Sequence, residues 1–280
     1  MVEKIGTDIH SAVYWSQKAD SYVEGIRGPY HRHRLEVVRA LISDVDLAGR
    51  ICLDFGCGDG IFSSCLVQGG AKVIGYDTDA QMIEVARQRF SHTPFSDAFK
   101  MGGVERLGSF DSQSVDAVFA LNVLAYLSKD EEEEFYKQSA RITRPGGRLV
   151  VTHSNELFDM YTLNQYTAMF FQHHFGTRAC PCDVSSLLTF PDKPDRKTFS
   201  VRENPLSYRY KLAKYGFTEQ AQEFANLHPL PPLLIPDWDA DDINARQYMD
   251  TLNWPAEHRW KLMFMCSMFG SHSRREPAGE

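Results

Sequence analysis

The residues best suited to chemistry lie in a glycine-rich segment, LDFGCGDG at 53–60, between a predicted strand and a predicted helix. Glycines in such a turn let the backbone approach a ligand closely and adopt left-handed conformations. Asp77 follows Gly56 by 21 residues and ends the next predicted strand. A carboxylate at that point can accept hydrogen bonds from both hydroxyls of a ribose. The spacing therefore predicts a nucleoside site at the ends of two adjacent strands.

The charges beside these glycines discriminate between ligands. The spacing is GxGxG, whereas the dinucleotide fingerprint is GxGxxG, and Asp54 and Asp59 flank the glycines. Two carboxylates would repel a diphosphate, but they suit a ligand with a free ammonium group. S-adenosylmethionine carries an ammonium and a sulfonium and no phosphate, so the residues favour it over NAD. The structural alternative is a turn without a ligand, and the coincidence of strand, turn, helix and distal acid argues against it.

Strand and helix patterns alternate around these residues. Short buried strands are predicted at 50–55, 72–76, 115–121 and 148–152, and helices at 61–68, 79–90 and 130–143, the last one stopped by Pro145-Gly146-Gly147. Strands that alternate with helices indicate βαβ units and a mostly parallel sheet. Helices are also expected within 11–42 and at 204–215, a sixth strand at 216–224, and either a helix or a strand at 262–269.

With these motifs in order, the chain resembles the class I S-adenosylmethionine-dependent methyltransferases. The four matching segments are LDFGCGDG at 53–60, YDTD at 76–79, DAVFALNVLAYL at 116–127 and RPGGRLVV at 144–151. The resemblance implies an α/β fold with a doubly wound, mostly parallel, seven-stranded Rossmann-like sheet. It also implies N-terminal lid helices at 1–42, a cofactor-binding core at 43–153, a substrate-pocket insertion at 154–203 and the remainder of the core at 204–280, all within one domain.

The same resemblance assigns the cofactor site, with S-adenosylmethionine as the cofactor. It implies that Asp54, Gly56 and Gly58 line the amino-acid moiety and that Asp77 holds the ribose. Thr78 and Met82 would border the adenine, next to a loop at Gly103 and Val104 where the family often has an acidic residue and this chain has Gly102-Gly103. Leu121 and Asn122 would lie beneath the sulfonium, and Cys57 and Gly60 complete the predicted cofactor-binding set.

Candidate acceptor residues follow the ends of the later strands. His153 directly follows the fifth predicted strand and is our first choice for a general base, with a hydrogen-bonded structural histidine as the alternative. The other predicted substrate residues are Tyr14, Tyr22, Tyr126, Asn155, Glu156, His173 and His174. Adjacent residues on a helix point about 100° apart, so at most one of the last two histidines would face the site.

Composition excludes several classes of protein. The net charge of −7 disfavours a nucleic-acid partner, which would need a basic face. No apolar run approaches the roughly 18 residues of a membrane span, and residues 1–10 lack the apolar region of a secretory signal. We therefore expect a cytoplasmic protein with no membrane partner. None of the six cysteines forms a CxxC pair, so we expect no metal site, with Cys180 and Cys182 as the pair to watch.

These observations predict a methyltransferase that acts on a small-molecule acceptor. O-methylation of a sugar or secondary metabolite is the first hypothesis. N-methylation of an amino or guanidino group is an alternative, because Glu156 and Asp159 follow the fifth strand. A non-catalytic protein of this fold that acts through a partner is another. RNA methylation is disfavoured by the charge and by ALNV at 120–123 in place of an NPPY-like tetrapeptide. The oligomeric state stays open.

Overall fold

The computed structural model describes residues 29–163, 166–168, 170–171, 202–228 and 248–277. The strands are β1 (Ile51–Phe55), β2 (Lys72–Asp77), β3 (Phe99–Met101), β4 (Val115–Leu121), β5 (Thr143–Ser154), β6 (Phe217–Leu227) and β7 (Cys266–Arg275). The α-helices are α1 (Pro29–Leu41), α2 (Ile61–Gln68), α3 (Ala80–Arg89), α4 (Lys129–Ile142), α5 (Glu156–Thr162), α6 (Tyr208–Ala213) and α7 (Leu262–Met265).

All seven strands join one sheet, in the order β3-β2-β1-β4-β5-β7-β6. The first five are parallel, and β7 runs antiparallel between β5 and β6. This confirms the doubly wound, mostly parallel sheet expected from the sequence. The strand order reverses at β1, which pairs with both β2 and β4. Open α/β sheets bind ligands at such a switch point, outside the carboxyl ends of the strands.

Two apolar layers cover the two faces of the sheet. One layer includes Phe135 and Tyr136 of α4 and Tyr208 of α6, all fully buried. The other layer includes Val38 of α1 and Phe62 of α2. Strands covered on both faces need near-continuous apolar sequence, and VDAVFAL of β4 has it. The two layers hold the carboxyl ends of β1 and β4 in fixed positions.

Side-chain caps fix where two of the helices begin. Asp79 accepts a hydrogen bond from the backbone N–H of Met82 and so caps α3. Ser128 and Glu131 form a reciprocal capping box at the start of α4. The acidic residues of the first turn of α4 favour the positive end of the helix dipole. These caps explain why the predicted starts of both helices lie within one residue of the observed ones.

The start of β5 corrects one prediction. We expected Pro145-Gly146-Gly147 to form a turn before a strand at 148–152, but β5 begins at Thr143, directly after α4. The pairing with β4 shifts register between Val115↔Thr143 and Ala117↔Arg148. Gly146 has a φ of +77°, a left-handed conformation that glycine adopts without strain. The proline and the two glycines therefore form an irregular part of the strand and not a separate turn.

Three further elements differ from the sequence prediction. The helix expected at 204–215 covers only Tyr208–Ala213, because the Asn204 side chain accepts from the N–H of Leu206 and holds a turn there. The segment 262–269 contains both structures that periodicity left open, the helix α7 followed by the strand β7. The strand β3 has three residues, too few to show a period.

The proposed boundaries between lid, core and insertion stay predictions. The described part of the predicted lid begins at residue 29, and most of the predicted insertion at 154–203 lies outside the described residues. Among the helices that the structure describes, none combines the length and the apolar character needed to cross a membrane.

Candidate functional site

The glycine turn between β1 and α2 adopts left-handed backbone conformations at Gly56, Gly58 and Gly60, with φ of +71°, +52° and +76°. At Gly56 a side chain would also collide with its surroundings, since an added Cβ would lie 2.7 Å from the Cβ of Val123. The N–H groups of Gly56 and Cys57 both donate to the carbonyl of Tyr76, at 2.8 and 3.0 Å. These bonds fix the turn against the end of β2.

Asp77 ends β2 beside this turn, as predicted. Its carboxylate accepts hydrogen bonds from the N–H groups of Gly58 and Asp79, both at 2.9 Å. Burial raises the pKa of Asp77, and those two N–H groups oppose the shift. A carboxylate oxygen has more than one lone pair, so Asp77 can hold the turn and still accept from a ligand hydroxyl.

Asp54 lies deeper, at the end of β1, and is 1% exposed. One of its oxygens accepts from the hydroxyl of Ser63 at 2.5 Å. Burial raises the pKa of Asp54 to about 7; the Ser63 bond opposes the shift, and the negative charges of Asp77 and Asp59 add to it. A cationic group placed against Asp54 would favour its ionised form.

Asp59 corrects the charge argument made from the sequence. Its carboxylate pairs with Arg89 at 2.5 Å and accepts from the N–H of Ile61 at the start of α2. The pair is nearly buried on the Asp59 side, with 3% of that side chain exposed. Asp59 also lines the cleft, but its charge is compensated by Arg89 of α3, whereas Asp54 is a lining carboxylate without an ion pair among the described residues.

A cleft opens above the turn, at the carboxyl ends of β1, β4 and β5, with α1 as its roof. Its empty volume is about 590 Å³, counting the solvent at its mouth. The lining includes Asp54, Gly56, Cys57, Gly58, Leu121 and Asn122, so these six predicted cofactor residues lie together in one cleft. Burial raises the pKa of Cys57 well above its ordinary value, so its thiol stays protonated there.

Arg34 of α1 also lines the cleft, and sequence reasoning missed it. Its guanidinium donates to the side-chain oxygen of Asn122 and to the sulfur of Met268. Arg34 precedes Val38 by four residues, so helical spacing places it on the apolar face that packs on the sheet. A single arginine on an otherwise apolar helix face is the sequence pattern that could have indicated Arg34 as a site residue.

Asn122 and Thr152 form the floor of the cleft. Asn122 has a φ of +60°, its N–H donates to the Thr152 hydroxyl at 2.9 Å, and that hydroxyl donates back to the Asn122 oxygen at 3.0 Å. The strained backbone of Asn122 is thus held by a reciprocal pair of bonds. Thr152 was not among the predicted residues.

The fit to S-adenosylmethionine rests on charge. The amino-acid end of that molecule carries an ammonium and a carboxylate, and the cleft presents the buried Asp54 carboxylate together with the Arg34 guanidinium. Asp77 ends β2 beside the turn, where its carboxylate accepts from the N–H of Gly58. The residues present therefore suit the group, and the described residues hold no cluster of three or more potential metal ligands.

Comparison with known proteins identifies a methyltransferase domain in this chain. A family profile described as "Methyltransferase domain" matches residues 53–151. The ubiquinone biosynthesis O-methyltransferase of Xanthomonas oryzae pv. oryzae is 27% identical over 162 residues, which is 55% of this chain and 66% of that protein. The Alkalilimnicola ehrlichii protein of the same name is 27% identical over 173 residues, 59% of this chain and 69% of that protein. The matched segments thus span about two thirds of these relatives.

A solved structure shows the same fold. It is a magnesium protoporphyrin IX methyltransferase from Synechocystis PCC 6803 with bound S-adenosylhomocysteine. The TM-score is 0.59 at 17% identity, covering 94% of this chain and 97% of the other. Residues 53–151 form a methyltransferase domain, and the chain has the fold of the class I S-adenosylmethionine-dependent methyltransferases. Its cofactor is S-adenosylmethionine.

The predicted adenine side of this methyltransferase lies outside the cleft lining. Thr78 is exposed next to Gly103, and Met82 and Val104 are buried. The N–H of Gly103 donates to the carboxylate of Glu105 at 2.9 Å. This chain therefore does have an acidic side chain at the loop, but it comes from a residue two positions after Gly103. Gly60 begins α2 and faces Phe90 of the α3 end, so its role is in the turn and not in the cleft.

The structure contradicts His153 as the general base. Neighbouring strand residues point to opposite faces, so Thr152 faces the cleft and His153 faces the other layer. There the imidazole packs against Tyr208 and Phe269, with ring centroids 4.6 and 5.4 Å away. Burial, with a smaller contribution from the charge of Lys211, lowers the pKa of His153 to about 3. His153 is thus a buried structural residue, as the alternative proposed, although its Nε2 has no hydrogen-bond partner among the described residues.

Asn155 is a structural residue and not a substrate ligand. Its oxygen caps α5 by accepting from Leu157, and its amide donates to the carbonyls of Met263 and Cys266 at 2.7 and 2.8 Å. The residue is fully buried, so all of its hydrogen-bonding capacity is used inside the protein.

The remaining acceptor predictions stay untested. Glu156 begins α5 and its N–H donates to Glu203, while Tyr126 lies half-buried after β4. The predictions on Tyr14, Tyr22, His173, His174, Cys180 and Cys182 fall outside the described residues.

Proposed function

We propose that this protein transfers the methyl group of S-adenosylmethionine to a hydroxyl oxygen of a small-molecule acceptor, a sugar or secondary metabolite. The observation that carries the proposal is the cleft at the switch point, in which the Asp54 carboxylate and the Arg34 guanidinium suit a zwitterionic ligand. The resemblance to ubiquinone biosynthesis O-methyltransferases supports oxygen as the methylated atom. The net charge of −7 supports a small acceptor over nucleic acid.

The cofactor residues of this proposal line the cleft, except for Asp77, which is hydrogen-bonded to the glycine turn beside it. Asp54 and Arg34 would hold the amino-acid end, the turn at Gly56–Gly58 would lie along it, and Asp77 would bind the ribose hydroxyls. When bound, S-adenosylmethionine supplies a methyl group that is already activated for in-line displacement. The protein then has to orient the acceptor and exclude water, which can contribute roughly 7–11 kcal/mol to the barrier reduction.

A hydroxyl acceptor also needs a base, worth about 10²–10⁴-fold in rate. With His153 on the other face, His173 and His174 of the predicted insertion are the candidates that remain for this role. The part of the cleft lining that the structure describes contains no histidine. This observation favours N-methylation as the second candidate function, because a neutral amine needs no base to attack the methyl group.

Cofactor binding and methyl transfer to the acceptor are tested by separate experiments. We expect calorimetry to show binding of S-adenosylmethionine by the wild type and loss of that binding in Asp77→Ala. The matched control is Asp97→Ala, which removes an exposed carboxylate outside the cleft. Unchanged binding in Asp77→Ala would contradict the assigned ribose site. A screen of phenols, sugars and the corresponding amines with labelled cofactor then identifies the methylated atom, and transfer only to amines would overturn O-methylation.

A further inference from the structure

A second cleft lies at the opposite edge of the sheet, at the amino ends of the strands. Its empty volume is about 960 Å³, compared with 590 Å³ for the cofactor cleft when solvent at the mouth is counted in both. Four arginines line it, Arg50, Arg144, Arg148 and Arg274, together with Asp44, Asp46 and Asp116. The two clefts share no lining residue. A chain with a net charge of −7 thus gathers positive side chains at one recess.

Two of the arginines are engaged within the protein. Arg144 pairs with Asp116 at 2.9 Å and also donates to the carbonyls of Gln113 and Ser114. Arg50 lies 3.5 Å from the same carboxylate. The other Asp116 oxygen accepts from the N–H of Ile51 at 2.8 Å. One carboxylate therefore serves two guanidinium groups and leaves a positive balance at this end of the cleft.

The other two arginines face each other, and neither is engaged in an ion pair among the described residues. Arg148 of β5 and Arg274 of β7 are directly opposite in the antiparallel register. Like charges at directly opposed positions of a sheet are destabilising. Among the described residues, neither guanidinium forms an ion pair or a hydrogen bond. The positive charge of Arg148 also adds to the burial that lowers the pKa of the neighbouring His272. The fold thus maintains an unfavourable pair that an anion would neutralise.

The backbone beside this pair is kept free of side chains. The guanidinium of Arg274 lies over Gly146, where an added Cβ would be 3.4 Å from its Nη2. Gly147 is closely enclosed, since a Cβ there would lie 2.6 Å from the Thr143 methyl and 2.7 Å from the Asp116 carbonyl oxygen. The irregular start of β5 therefore presents backbone without side chains next to the Arg274 guanidinium.

We propose that this cleft binds a compact phosphate-bearing anion, held by Arg148 and Arg274, with Arg50 and Arg144 beside it. The guanidinium group presents a planar fork of N–H donors that matches phosphate oxygens in bidentate geometry. The lining carries four arginines against three aspartates, so its net positive charge is small and suits a compact anion better than an extended polyanion such as nucleic acid. The ligand class is thus a diphosphate or a nucleoside diphosphate, and binding is independent of the cofactor cleft at the other edge.

Calorimetry on the full chain tests the proposal, with inorganic pyrophosphate as the probe and S-adenosylhomocysteine present at saturation. We expect the wild type to bind pyrophosphate with a Kd below about 1 mM and Arg148→Gln/Arg274→Gln to bind at least about tenfold more weakly. Uridine diphosphate is the second probe. If uridine diphosphate binds more tightly than pyrophosphate, the ligand of the cleft is a nucleoside diphosphate. If the two bind equally, the cleft recognises the diphosphate group alone.

The matched control is Arg209→Gln/Lys214→Gln, which removes two exposed cations outside the cleft. Because the cleft variant relieves repulsion, we expect it to melt no lower than the wild type without anion. Pyrophosphate should raise the Tm of the wild type and of the control, but not of the cleft variant. Absence of binding by the wild type, or an equal loss of affinity in both double variants, would overturn the site.

Discussion

At the scale of single residues, Asp54 links cofactor binding to pH. Burial raises its pKa to about 7, so below that value the free protein carries a neutral carboxyl that attracts a cation poorly. We therefore expect affinity for S-adenosylmethionine to fall as the pH is lowered from about 7 to about 5, a range in which the ligand's ammonium (ordinary pKa about 7.7) is mostly protonated. Calorimetry across this range measures the effect, and a constant Kd would contradict the assignment.

Two variants sharpen this prediction. Asp54→Asn should weaken cofactor binding by about 10- to 100-fold and abolish its pH dependence.

The raised pKa of Asp54 also affects the stability of the fold. Because the pKa in the folded protein lies above the ordinary 3.8, the native state binds more protons between these values, and the Asp54 contribution to stability falls as the pH rises from about 4 to about 7. Asp54→Asn should thus flatten the pH dependence of stability in that window. Ser63→Ala removes the bond that opposes the shift and should move the affinity midpoint to higher pH.

The buried His153 gives a second prediction at this scale. Its ring is neutral and packed against aromatic side chains, with Nε2 unpaired, so it contributes no proton transfer at the cleft. We expect His153→Phe to keep kcat within about twofold, whereas loss of a general base costs about 10²–10⁴-fold. Steady-state kinetics and Tm on His153→Phe and on the smaller His153→Leu separate a catalytic effect from a packing effect. A large loss of kcat at unchanged Tm in both would restore the catalytic role.

At the scale of elements, Asn155 joins the start of α5 to the junction between α7 and β7. Asn155→Ala removes a helix cap and leaves two buried carbonyls without a donor, so we expect a loss of about 2–4 kcal/mol in the free energy of unfolding. Urea unfolding measures this change. Ser128→Ala, in an exposed capping box, is the control and should cost about 0.5–2 kcal/mol. A rise in the acceptor KM without a loss of stability would instead make Asn155 a substrate ligand.

The elements that the sequence predicted best are those with strong local signals. The bounds of α2 and β4 agree at both ends, because glycines and polar residues flank continuous apolar runs. The start of β5 was wrong, because a proline followed by two glycines is typical of a turn and only the neighbouring strand β4 holds it in the sheet. Likewise Arg34 reaches the site only through the packing of α1, which local patterns do not specify, and the face of His153 depended on the register of β5.

At the scale of the whole molecule, the strand order separates the two edges of the sheet. The switch point between β1 and β4 places Asp54, Asp77 and Asn122 at the carboxyl edge, while the arginine cleft lies about one strand length away at the amino edge. We expect S-adenosylhomocysteine to slow amide hydrogen exchange most in the glycine turn at 56–60 and around 77–79. At residues 144–148, at the other edge, exchange should slow only by the amount that ligand binding raises the stability of the whole fold.

Hydrogen exchange read by mass spectrometry on the full chain, with and without S-adenosylhomocysteine, measures this polarity. Asp54→Asn serves as the control, since it keeps the turn and lowers affinity, and it should require more ligand for the same protection. Equal local protection at both edges would mean that binding changes the sheet as a whole. We expect protection at the carboxyl edge only, because packed apolar layers cover both faces of the sheet and keep it rigid. Ligand binding in one cleft would then leave the other cleft unchanged.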